Sequence, residues 1–588
     1  MVNSFDIETL NDKDKLIPYC ISAIYDNKTK TFFGINCVNS FIEHTFEILE
    51  KWKIAKKGSK IIIFSHNLTF DGSILLQHVI SSNNLEYDGL FVKGTIYSLT
   101  IIKNDLKIIL KCSYKFFPTK LEMASKKLNT REKMDFNHNL ININNFKEYE
   151  DKSKKYCLND SMIVKEIIQK YDKITSKYMK DWKLHTNSVT SISYNIFKKN
   201  FNRYNIKMIN NNSSDELIRQ SYYGGRCEVF GNPKLNELIY HYDFSGMYAQ
   251  IMHQDFCHGE YEIINNPNYL NKPGFYFIHY KSNNNIPILP HHSIINNKLM
   301  FTNGVGSGLY WWEEIELFEK HGGKILKIAY HIRYRNYSPV FKDFVSHFTK
   351  IRKSSEEANS IAKLIINSLY GRLGMGPIEN ETKVLNKESY LEYKKKNENM
   401  ILSEMKVNEI YILSVKAPLS NEIKSNVELA SAITAKARIK LYNGFMSTIE
   451  NGGRVLYSDT DSIFAAFNKN VDNQKHGEIM WDINKKDTKI KKAIFAMPKA
   501  YALIYEDNKE CIKIKGINRS NMDFYEFKNI FEKKSSITVS VSSLKKANYI
   551  ITPNNIHKII NLNKYDKRIF ISNYTETRPF IHDGVNYI

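Results

Sequence analysis

Acidic residues in three N-terminal segments could bind metal ions together. Asp6 and Glu8 lie two residues apart in the strand-like segment FDIETL, so both carboxylates leave the same face of a β-strand. Asp71 begins an apolar helical segment, and Asp160 lies one helical turn after Tyr156. Two divalent ions held by such acids can activate a water to hydrolyse a phosphodiester, with Tyr156 orienting that water. Each segment alone is more often a solvated surface or a helix cap, but together they predict a hydrolytic metal site.

A second set of acids lies in apolar segments of the C-terminal half. Asp459 and Asp461 flank Thr460 in YSDTDSIF, and Asp243 ends another apolar run. Charges in an apolar strand are costly unless a cation or a partner offsets them, so a metal ion is the simplest explanation. Three acids from two strands predict a second two-metal site, suited to phosphoryl transfer from a nucleoside triphosphate.

The segment between these acids has helical spacing. Lys363, Asn367 and Tyr370 are spaced i, i+4 and i+7, and Arg352 falls on nearly the same face three turns earlier. A helix that presents Arg and Lys can bind a triphosphate, and Tyr370 with Gly371 leaves a flat surface for a base pair. An ordinary amphipathic helix with solvated lysines is the alternative, and the acids on both sides favour the nucleotide site.

The segments that position these residues alternate between strand and helix patterns. Short β-rich runs at 61–64 and 107–110 predict a mixed α/β domain over residues 1 to about 175. The strands HYDFS and VLYSD are more than 200 residues apart, yet they can pair in one sheet. Between them we expect a Pro/Gly/Asn-rich surface loop at about 256–335, a long helix at about 338–373 and a polar insertion at about 376–425.

The composition indicates a polyanionic partner and a soluble protein. The 588 residues carry a net charge of +22, which favours nucleic acid binding. Seven cysteines form no CxxC pair and no zinc-binding spacing, so we expect isolated buried thiols in a reducing compartment. No apolar stretch approaches the roughly 18 residues that cross a bilayer, and the first residues contain no import signal, so we expect no membrane partner.

The N-terminal segments resemble the three motifs of 3′→5′ proofreading exonuclease domains. The matches are DIE at Asp6–Glu8, Nx2FD at Asn67–Asp71 and Yx3D at Tyr156–Asp160. The resemblance implies that Asp6, Glu8 and Asp160 bind metal and that Asp71 and Tyr156 are catalytic.

The same resemblance implies residues that hold the DNA strand. Asn67 and Phe70 would hold a frayed 3′ end, and Ser113 in SYKFFP matches a further strand-holding motif. The basic residue that the family places before the third motif is either Lys133 or His138.

The C-terminal segments resemble motifs A, B and C of family B DNA polymerases. The matches are Asp243–Ala249, Lys363–Gly371 and Tyr457–Ser462. Asp243, Asp459 and Asp461 would therefore bind metal, and the nucleotide would contact Lys363, Asn367, Tyr248, Tyr370 and Arg352. Tyr248 matches the residue that excludes a 2′-hydroxyl, which implies deoxynucleotides. Gly246 replaces the usual Ser, so triphosphate binding there would rely on backbone amides.

Three smaller motifs resemble DNA contacts of the same family. The YxGG, Tx2AR and KxY patterns would contact the template or the primer through Tyr222, Gly224, Gly225, Thr434, Arg438, Lys499 and Tyr501. The motifs occur in family order over about 500 residues, which makes the resemblance specific.

The resemblance implies a multidomain fold of α/β and α+β type, an RNase H-like (DnaQ-like) exonuclease domain followed by a right-hand polymerase. It divides the chain into an exonuclease domain at 1–190, palm at 205–262 and 426–505, a first insertion at 263–337, fingers at 338–375, a second insertion at 376–425 and a thumb at 506–588. Each active site would use two divalent ions, Mg²⁺ or Mn²⁺.

The two insertions resemble those of protein-primed family B enzymes from linear mitochondrial plasmids and phages. The partners implied are a DNA template and primer, deoxynucleoside triphosphates and a terminal protein whose hydroxyl serves as primer. The enzyme would act as a monomer, with strand displacement, in a mitochondrion or in the host cell of a phage or plasmid. Because Asp6 is close to residue 1, we expect the priming protein to be separate, or this chain to be a shortened product of a longer reading frame.

Two other functions remain open from the sequence. A stand-alone 3′→5′ exonuclease would use its C-terminal half as a DNA clamp, but a clamp has no use for Asp459 and Asp461. A decayed gene product that only binds DNA would be favoured if the acids were lost, and all seven are present.

Overall fold

The computed structural model describes residues 2–582 except 13–14, 57, 83, 93, 210, 269, 271, 294–295, 377–379, 408–409, 417–424, 469–480, 484–489, 516–521, 548–549 and 572. No helix among these residues is long and apolar enough to span a membrane.

The first domain is built on a seven-stranded mixed sheet. Its elements are β1 (Asn3–Asp12), β2 (Lys15–Tyr25), β3 (Lys28–Phe33), α1 (Cys37–Ile54), β4 (Lys60–Ser65), α2 (Thr69–Ile80), β5 (Glu86–Val92), β6 (Thr95–Lys103), β7 (Leu106–Cys112), α3 (Leu121–Lys127), α4 (Glu150–Thr175), α5 (Trp182–His185) and α6 (Val189–Asn200). The strand order is β3-β2-β1-β4-β7-β6-β5. Phe5 and Ile7 point from β1 into a core shared with α1 and α2, and α4 contacts β1 as well. The predicted α/β domain and its strands at 61–64 and 107–110 are confirmed.

A second sheet forms the centre of the C-terminal half. Its first elements are α7 (Asn212–Arg219), β8 (Cys227–Val229), β9 (Leu238–Phe244) and α8 (Met247–Ile251). This one sheet contains both β9 and the strand with the sequence VLYSD, which comes much later in the chain, as predicted. Another strand lies between the two.

The expected surface loop at about 256–335 is wrong, because this segment folds as a sheet. Its elements are β10 (Phe256–Asn265), β11 (Gly274–Ser282), β12 (His291–His292), β13 (Leu299–Met300), β14 (Asn303–Trp311), α9 (Trp312–Lys320) and β15 (Lys324–Ser338). Four of the strands pair in the order β10-β15-β11-β14, and Phe275 and Trp311 extend the main core of the chain. The predicted first insertion is thus an ordered unit packed on the palm.

The predicted long helix at about 338–373 is two helices. They are α10 (Lys342–Arg352) and α11 (Glu356–Leu373). The break occurs at Ser355, whose extended backbone lets its side chain accept a hydrogen bond from the Ala358 amide and cap α11.

The second insertion packs on the first domain. Its elements are β16 (Asn380–Leu385), α12 (Lys387–Asn397), β17 (Ile401–Val407) and β18 (Ile410–Lys416), with strand order β16-β18-β17. Val384 and Ile412 belong to the same apolar cluster as Phe5 and Ile7, and the Tyr87 hydroxyl donates to the Val384 carbonyl. The insertion is therefore joined to the first domain through a continuous core.

The remaining chain completes this second sheet and adds a C-terminal helix and further strands. Its elements are α13 (Val427–Glu450), β19 (Arg454–Asp459), β20 (Ser462–Phe467), β21 (Trp481–Ile483), β22 (Ile490–Met497), β23 (Ala500–Tyr505), β24 (Glu510–Ile514), α14 (Phe524–Glu532), β25 (Ser536–Ala547), β26 (Ile550–Asn561), β27 (Arg568–Ile571), β28 (Glu576–Pro579) and β29 (Ile581–His582). The palm order is β24-β23-β22-β9-β20-β19-β8, with β21 also beside β9.

The predicted thumb at 506–588 is not one unit among the described residues. The hairpin β25–β26 extends to the first domain, where β26 lies beside α2 and β2. In contrast, β29 returns to pair with β14 of the first insertion. Gly304 permits this approach, because a Cβ atom there would lie 1.9 Å from the His582 carbonyl oxygen.

Candidate active sites

The first acidic site forms where α4 crosses β1. Asp6 and Glu8 alternate with the core residues Phe5 and Ile7, so the two carboxylates face away from that core. The Ser4 hydroxyl donates to the Ser161 carbonyl at 2.7 Å and fixes α4 against the strand. This packing places Asp160 in the electrostatic environment of Asp6 and Glu8.

The acids of this site raise one another's pKa. Burial and, to a smaller extent, the negative charge of Asp160 raise the pKa of Glu8 to about 8. Burial also raises the pKa of Asp6 well above its usual value, with further contributions from Glu8, Asp160 and Asp71. Clustered buried carboxylates of this kind are stabilised in their charged form by a cation.

The two candidates for the basic residue both lie beside Tyr156 and the acids. The Lys133 ammonium donates to the Asp160 carboxylate and lies 4.7 Å from the centre of the Tyr156 ring. His138 lies further out, with its Nδ1 atom 3.5 Å from Glu8 Oε2. Lys133 therefore contacts both Asp160 and Tyr156 of the third motif. The sequence alone did not decide between Lys133 and His138.

Cys157 is a member of the acidic site that the sequence did not indicate. Its Sγ atom lies within 4.8 Å of a carboxylate oxygen of Asp6 and of Glu8, and its thiol donates to the Asp6 carbonyl. All seven cysteines are free and six are buried, as expected, whereas Cys511 is only half-buried. The expectation that they are isolated is wrong for Cys157.

The residues predicted to hold a DNA strand lie beside the acids, but not all face outward. Asn67 has a left-handed backbone conformation with φ of 67°, and Phe70 lies in the first turn of α2, next to Asp71. Ser113 is fully buried, and its hydroxyl donates to the Ser65 carbonyl at 3.0 Å. Its neighbour Tyr114 is 37% exposed, so within this motif Tyr114, and not Ser113, is accessible to a DNA strand.

The donor set of this site fits a hard divalent cation. Asp6, Glu8 and Asp160 supply carboxylate oxygens, the ligands that Mg²⁺ and Mn²⁺ prefer. The Oδ1 atom of Asp160 is buried and has no hydrogen-bond partner among the described residues. A buried carboxylate oxygen without a donor is a suitable metal ligand.

The second acidic site lies at one end of three adjacent strands. Asp243 is paired with Ser462 across β9 and β20, and Asp459 is paired with Ser462 across β19 and β20. Asp461 lies in the turn between β19 and β20, where its carbonyl accepts from the Phe244 amide at 2.8 Å. The fold thereby joins acids that are more than 200 residues apart in sequence.

The electrostatics of this site also indicate a cation. Burial, together with the charges of Asp243 and Asp459, raises the pKa of Asp461 to about 6, while Lys363 opposes this shift. The Lys499 ammonium donates to both carboxylate oxygens of Asp459, at 3.1 and 3.0 Å. In this conformation Lys499 supplies the positive charge at Asp459.

Two tyrosines form a flat surface beside these acids. The rings of Tyr248 and Tyr370 are stacked, with centres 4.3 Å apart and planes 2° apart. They come from α8 and α11, so motifs A and B meet here. Lys363 and Asn367 are exposed on α11, and this helix face carries the predicted spacing.

Arg352 reaches the site by a different route from the one predicted. It ends α10 rather than continuing the helix of Lys363, and its Nε donates to Asn359 at 2.9 Å. The turn between α10 and α11 brings its Nη1 atom to 3.7 Å from where a Cβ of Gly246 would lie. Gly246 has φ of 62°, a left-handed conformation that glycine adopts without strain.

The YxGG segment packs directly on the turn of motif C. A Cβ atom at Gly225 would lie 2.8 Å from the Thr460 side chain, and the Thr460 amide donates to the Arg226 carbonyl at 2.8 Å. Thr460 itself has φ of 63°. Gly224 is exposed, and Tyr222 packs against Gly374 after motif B. Glycine at 225 is therefore required by the close approach of the turn.

Two residues predicted to contact the template are buried instead. Thr434 is 3% exposed, and its hydroxyl donates to the Ser431 carbonyl. Arg438 is 4% exposed, forms two hydrogen bonds with Glu314 at 2.7 and 2.9 Å, and donates to the Tyr223 and Gly224 carbonyls. In this conformation Arg438 positions the YxGG segment rather than presenting its charge to solvent. Its partner Glu314 was not recognised from the sequence.

Replacing Arg438 with Met should destabilise the protein. The change leaves the Glu314 carboxylate buried without its counterion, which costs about 3 to 5 kcal/mol in comparable buried pairs. Chemical denaturation measures this loss. The control is Arg335→Met, because the Arg335–Glu260 pair is exposed and such pairs contribute about 0 to 1 kcal/mol. Equal losses in the two variants would contradict a positioning role for Arg438.

Tyr501 and Lys499 come from the hairpin between β22 and β23. Tyr501 is 7% exposed and packs against Tyr457 with ring centres 5.5 Å apart. The Lys499 amide donates to the Tyr457 hydroxyl at 3.0 Å. The hairpin is thus fixed to motif C, and the Lys499 side chain lies nearer the acids than Tyr501 does.

Comparison with known proteins places the chain in a family. A sequence profile described as DNA polymerase type B, organellar and viral, matches residues 54–155 and 144–450. A probable DNA polymerase of Podospora anserina is 26% identical over 482 residues, covering 74% of this chain and 39% of that protein. One of Agaricus bitorquis is 26% identical over 619 residues, covering 90% of this chain and 74% of that protein.

Similarity extends to a phage enzyme and to solved structures. The DNA-directed DNA polymerase of Enterobacteria phage PRD1 is 28% identical over 317 residues, covering 51% of this chain and 52% of that protein. The structure of Phi29 DNA polymerase complexed with primer-template DNA and incoming nucleotide substrates superposes with a TM-score of 0.70 at 16% identity, over 96% of this chain and 100% of that one. The exonuclease-plus-palm, fingers and thumb fold predicted from the sequence is confirmed.

Proposed function

Because the chain belongs to the organellar and viral type B DNA polymerases, we propose that it extends DNA primers on a DNA template and trims mispaired 3′ ends. One observation carries the proposal: Asp243, Asp459 and Asp461 meet at one sheet edge beside the stacked pair Tyr248 and Tyr370. A DNA clamp without chemistry has no need of this arrangement.

In the polymerase site, Asp243, Asp459 and Asp461 would hold two divalent ions, Mg²⁺ or Mn²⁺. Such ions supply charge stabilisation for an in-line attack on a triphosphate. Lys363 and Arg352 would bind the triphosphate. The positive charge of Lys363 acts on Asp461, and Arg352 lies beside Gly246 of motif A.

Further residues would fix the nucleotide and the DNA. Tyr248 would lie under the sugar and exclude a 2′-hydroxyl, while Asn367 contacts the nucleotide from the exposed face of α11. The Lys499 ammonium is hydrogen-bonded to the Asp459 carboxylate. Once cations bind Asp459, Lys499 would leave this carboxylate and bind a phosphate of the primer strand. Tyr222 and Gly224 would contact the template.

In the exonuclease site, Asp6, Glu8 and Asp160 would hold the second pair of divalent ions. We assign Lys133 as the basic residue of this site, because it contacts both Asp160 and Tyr156. Tyr156 would orient the attacking water, and Asn67 with Phe70 would hold the strand end.

Primer extension with and without deoxynucleotides tests both activities in one assay. We expect a labelled primer to lengthen when all four nucleotides and Mg²⁺ are present and to shorten when nucleotides are omitted. Shortening without any lengthening would contradict the polymerase assignment and favour a stand-alone exonuclease.

We also propose that the first insertion binds a terminal protein whose hydroxyl takes the place of a primer end. The support is an ordered sheet beside the palm, on which Ile263 is 48% and Leu326 is 50% exposed. Replication would then proceed with strand displacement from the end of a linear DNA.

Replacing Ile263 and Leu326 with Asp should reduce protein priming and leave DNA priming unchanged. Charged side chains at an apolar contact cost several kcal/mol of binding, so we expect label transfer to the terminal protein to fall about tenfold or more. The assay combines enzyme, candidate terminal protein and labelled deoxynucleotide, and detects label on protein in a denaturing gel. The matched control is Leu402→Asp, an exposed leucine of the second insertion. Extension of DNA without labelling of protein by the unmodified enzyme would contradict the priming proposal alone.

A further inference from the structure

A basic cavity lies behind motif B, apart from both acidic sites. Its volume is about 770 Å³, within the range of about 300 to 1,000 Å³ that is typical of ligand sites. Three cationic and three amide side chains contribute to its lining: Lys198, Lys207, Arg372, Asn195, Asn202 and Asn205. No carboxylate is among the described residues that line it. The cavity therefore favours an anion.

The position of the cavity relates it to the polymerase site. Arg372 lies in the last turn of α11, two residues after Tyr370, and its guanidinium lies 5.6 Å from the centre of the Tyr194 ring on α6. Two residues further on, Gly374 packs so tightly against Tyr222 that a Cβ atom would lie 2.5 Å from the tyrosine hydroxyl. The basic cavity thus lies next to the end of motif B and close to Tyr222 of the YxGG segment. Its walls come from α6 of the first domain, from the linker that follows α6 and from the end of α11.

The walls of the cavity are held in place by hydrogen bonds. Asn202 both accepts from the Ile206 amide at 2.8 Å and donates to the Ile206 carbonyl at 3.0 Å, which closes the turn below Lys207. The Asn426 side chain donates to the Lys207 carbonyl at 2.6 Å and ties this turn to the start of α13. Lys198 and Lys207 are exposed, so their ammonium groups are available to a ligand from solvent.

We propose that the basic cavity binds the sugar-phosphate backbone of the unpaired template strand. Lys198, Lys207 and Arg372 present several cations over one cavity, which matches phosphodiesters spaced along a strand. A magnesium-bound triphosphate fits less well, because it would call for oxygen ligands such as carboxylates, and none line the cavity. The asparagine amides can donate to phosphate and sugar oxygens without reading the sequence. The proposal rests on the proposed function and adds a template contact outside the motifs.

The test compares DNA with and without an unpaired template strand. Lys198→Ala/Lys207→Ala is titrated with a labelled primer–template that carries a 5′ template overhang, and with the same duplex ended bluntly. The buffer contains EDTA and no nucleotide, so neither chemical reaction contributes. The matched control is Lys28→Ala/Lys30→Ala, which removes two exposed lysines from the outer strand β3.

We expect the double variant to bind the overhang DNA about five- to twentyfold more weakly at low salt. The slope of log affinity against log salt concentration should be less steep by about 1.4, because each of the two lost phosphate contacts contributes about 0.7 on a single strand. Binding of the blunt duplex should equal that of the control variant. The proposal is overturned if overhang binding matches the control, or if both DNAs lose affinity equally. It is also overturned if the variant loses only the binding of a fluorescent deoxynucleoside triphosphate. Failure of the unmodified protein to bind either DNA would instead count against the proposed function.

Discussion

Replacing Asp459 with Asn should abolish nucleotide addition and leave 3′ degradation intact. The amide keeps the size of the side chain but removes a charge from the metal-binding edge of β19, and charge stabilisation of several kcal/mol corresponds to a loss of roughly a thousandfold or more. Single-turnover extension of a labelled primer measures the loss. Degradation of single-stranded DNA should be unchanged, because that site draws on acids of the first domain.

The control for this experiment is Asp507→Asn. Asp507 is an exposed acid in the turn after β23 and pairs with Lys509, so it offers the same chemical change away from the site. Asp243→Asn should reproduce the loss, because Asp243 on β9 and Asp459 on β19 are both paired with Ser462 of β20, the strand between them. Near-normal extension in either site variant would rule out the polymerase chemistry proposed for this edge.

Replacing Asp6 with Asn and Glu8 with Gln should remove 3′ degradation and spare extension. We again expect a loss of roughly a thousandfold or more, since the acids no longer bind a divalent ion. The readout is the trimming of a mispaired 3′ end, followed beside extension of a matched primer. Trimming at the normal rate would mean that these acids have only a structural role.

This variant should remain folded, which makes its loss of activity interpretable. Burial and mutual repulsion raise the pKa of Asp6 and Glu8, so neutral amides remove an unfavourable interaction in the metal-free protein. Its melting temperature at pH 8 in EDTA should therefore equal or exceed that of the unmodified protein. Glu43→Gln, on the outer helix α1, is the control for loss of an acid elsewhere in the domain.

The acids and their strands were predictable because their signals are local. Alternation in β1 places Asp6 and Glu8 on one face whatever the rest of the chain does, and the turn at Thr460 brings Asp459 and Asp461 together by itself. The helical face of Lys363 and Asn367 follows in the same way from spacing.

Other features depend on contacts that spacing does not encode. A helical pattern runs through Arg352 and Lys363, so only the cap at Ser355 marks the break between α10 and α11. The sheet of the first insertion pairs segments that are far apart, and its Pro, Gly and Asn content resembled a loop. Cys157 lies beside the acids only because the face of α4 that carries it packs on β1.

Burial was the hardest property to predict. Arg438 and Ser113 have the residue types of DNA contacts, and both are buried by partners that no local pattern reveals. For Arg438 that partner is Glu314, which is 124 residues away in sequence. Long-range ion pairs of this kind require the structure.

The shared core of the first domain and the second insertion has a consequence for synthesis on the ribosome. Val384 and Ile412 complete the apolar cluster around Phe5 and Ile7, yet Ile412 is made 212 residues after Asn200, the end of the last helix of that domain. At about 5 to 20 residues per second, the emerging domain waits roughly 10 to 45 s for this part of its core. Its outer strand β5 also lacks β16, the strand that later lies beside it, so a nascent chain with neither β16 nor β18 outside the ribosome should bind chaperones more strongly than one with both.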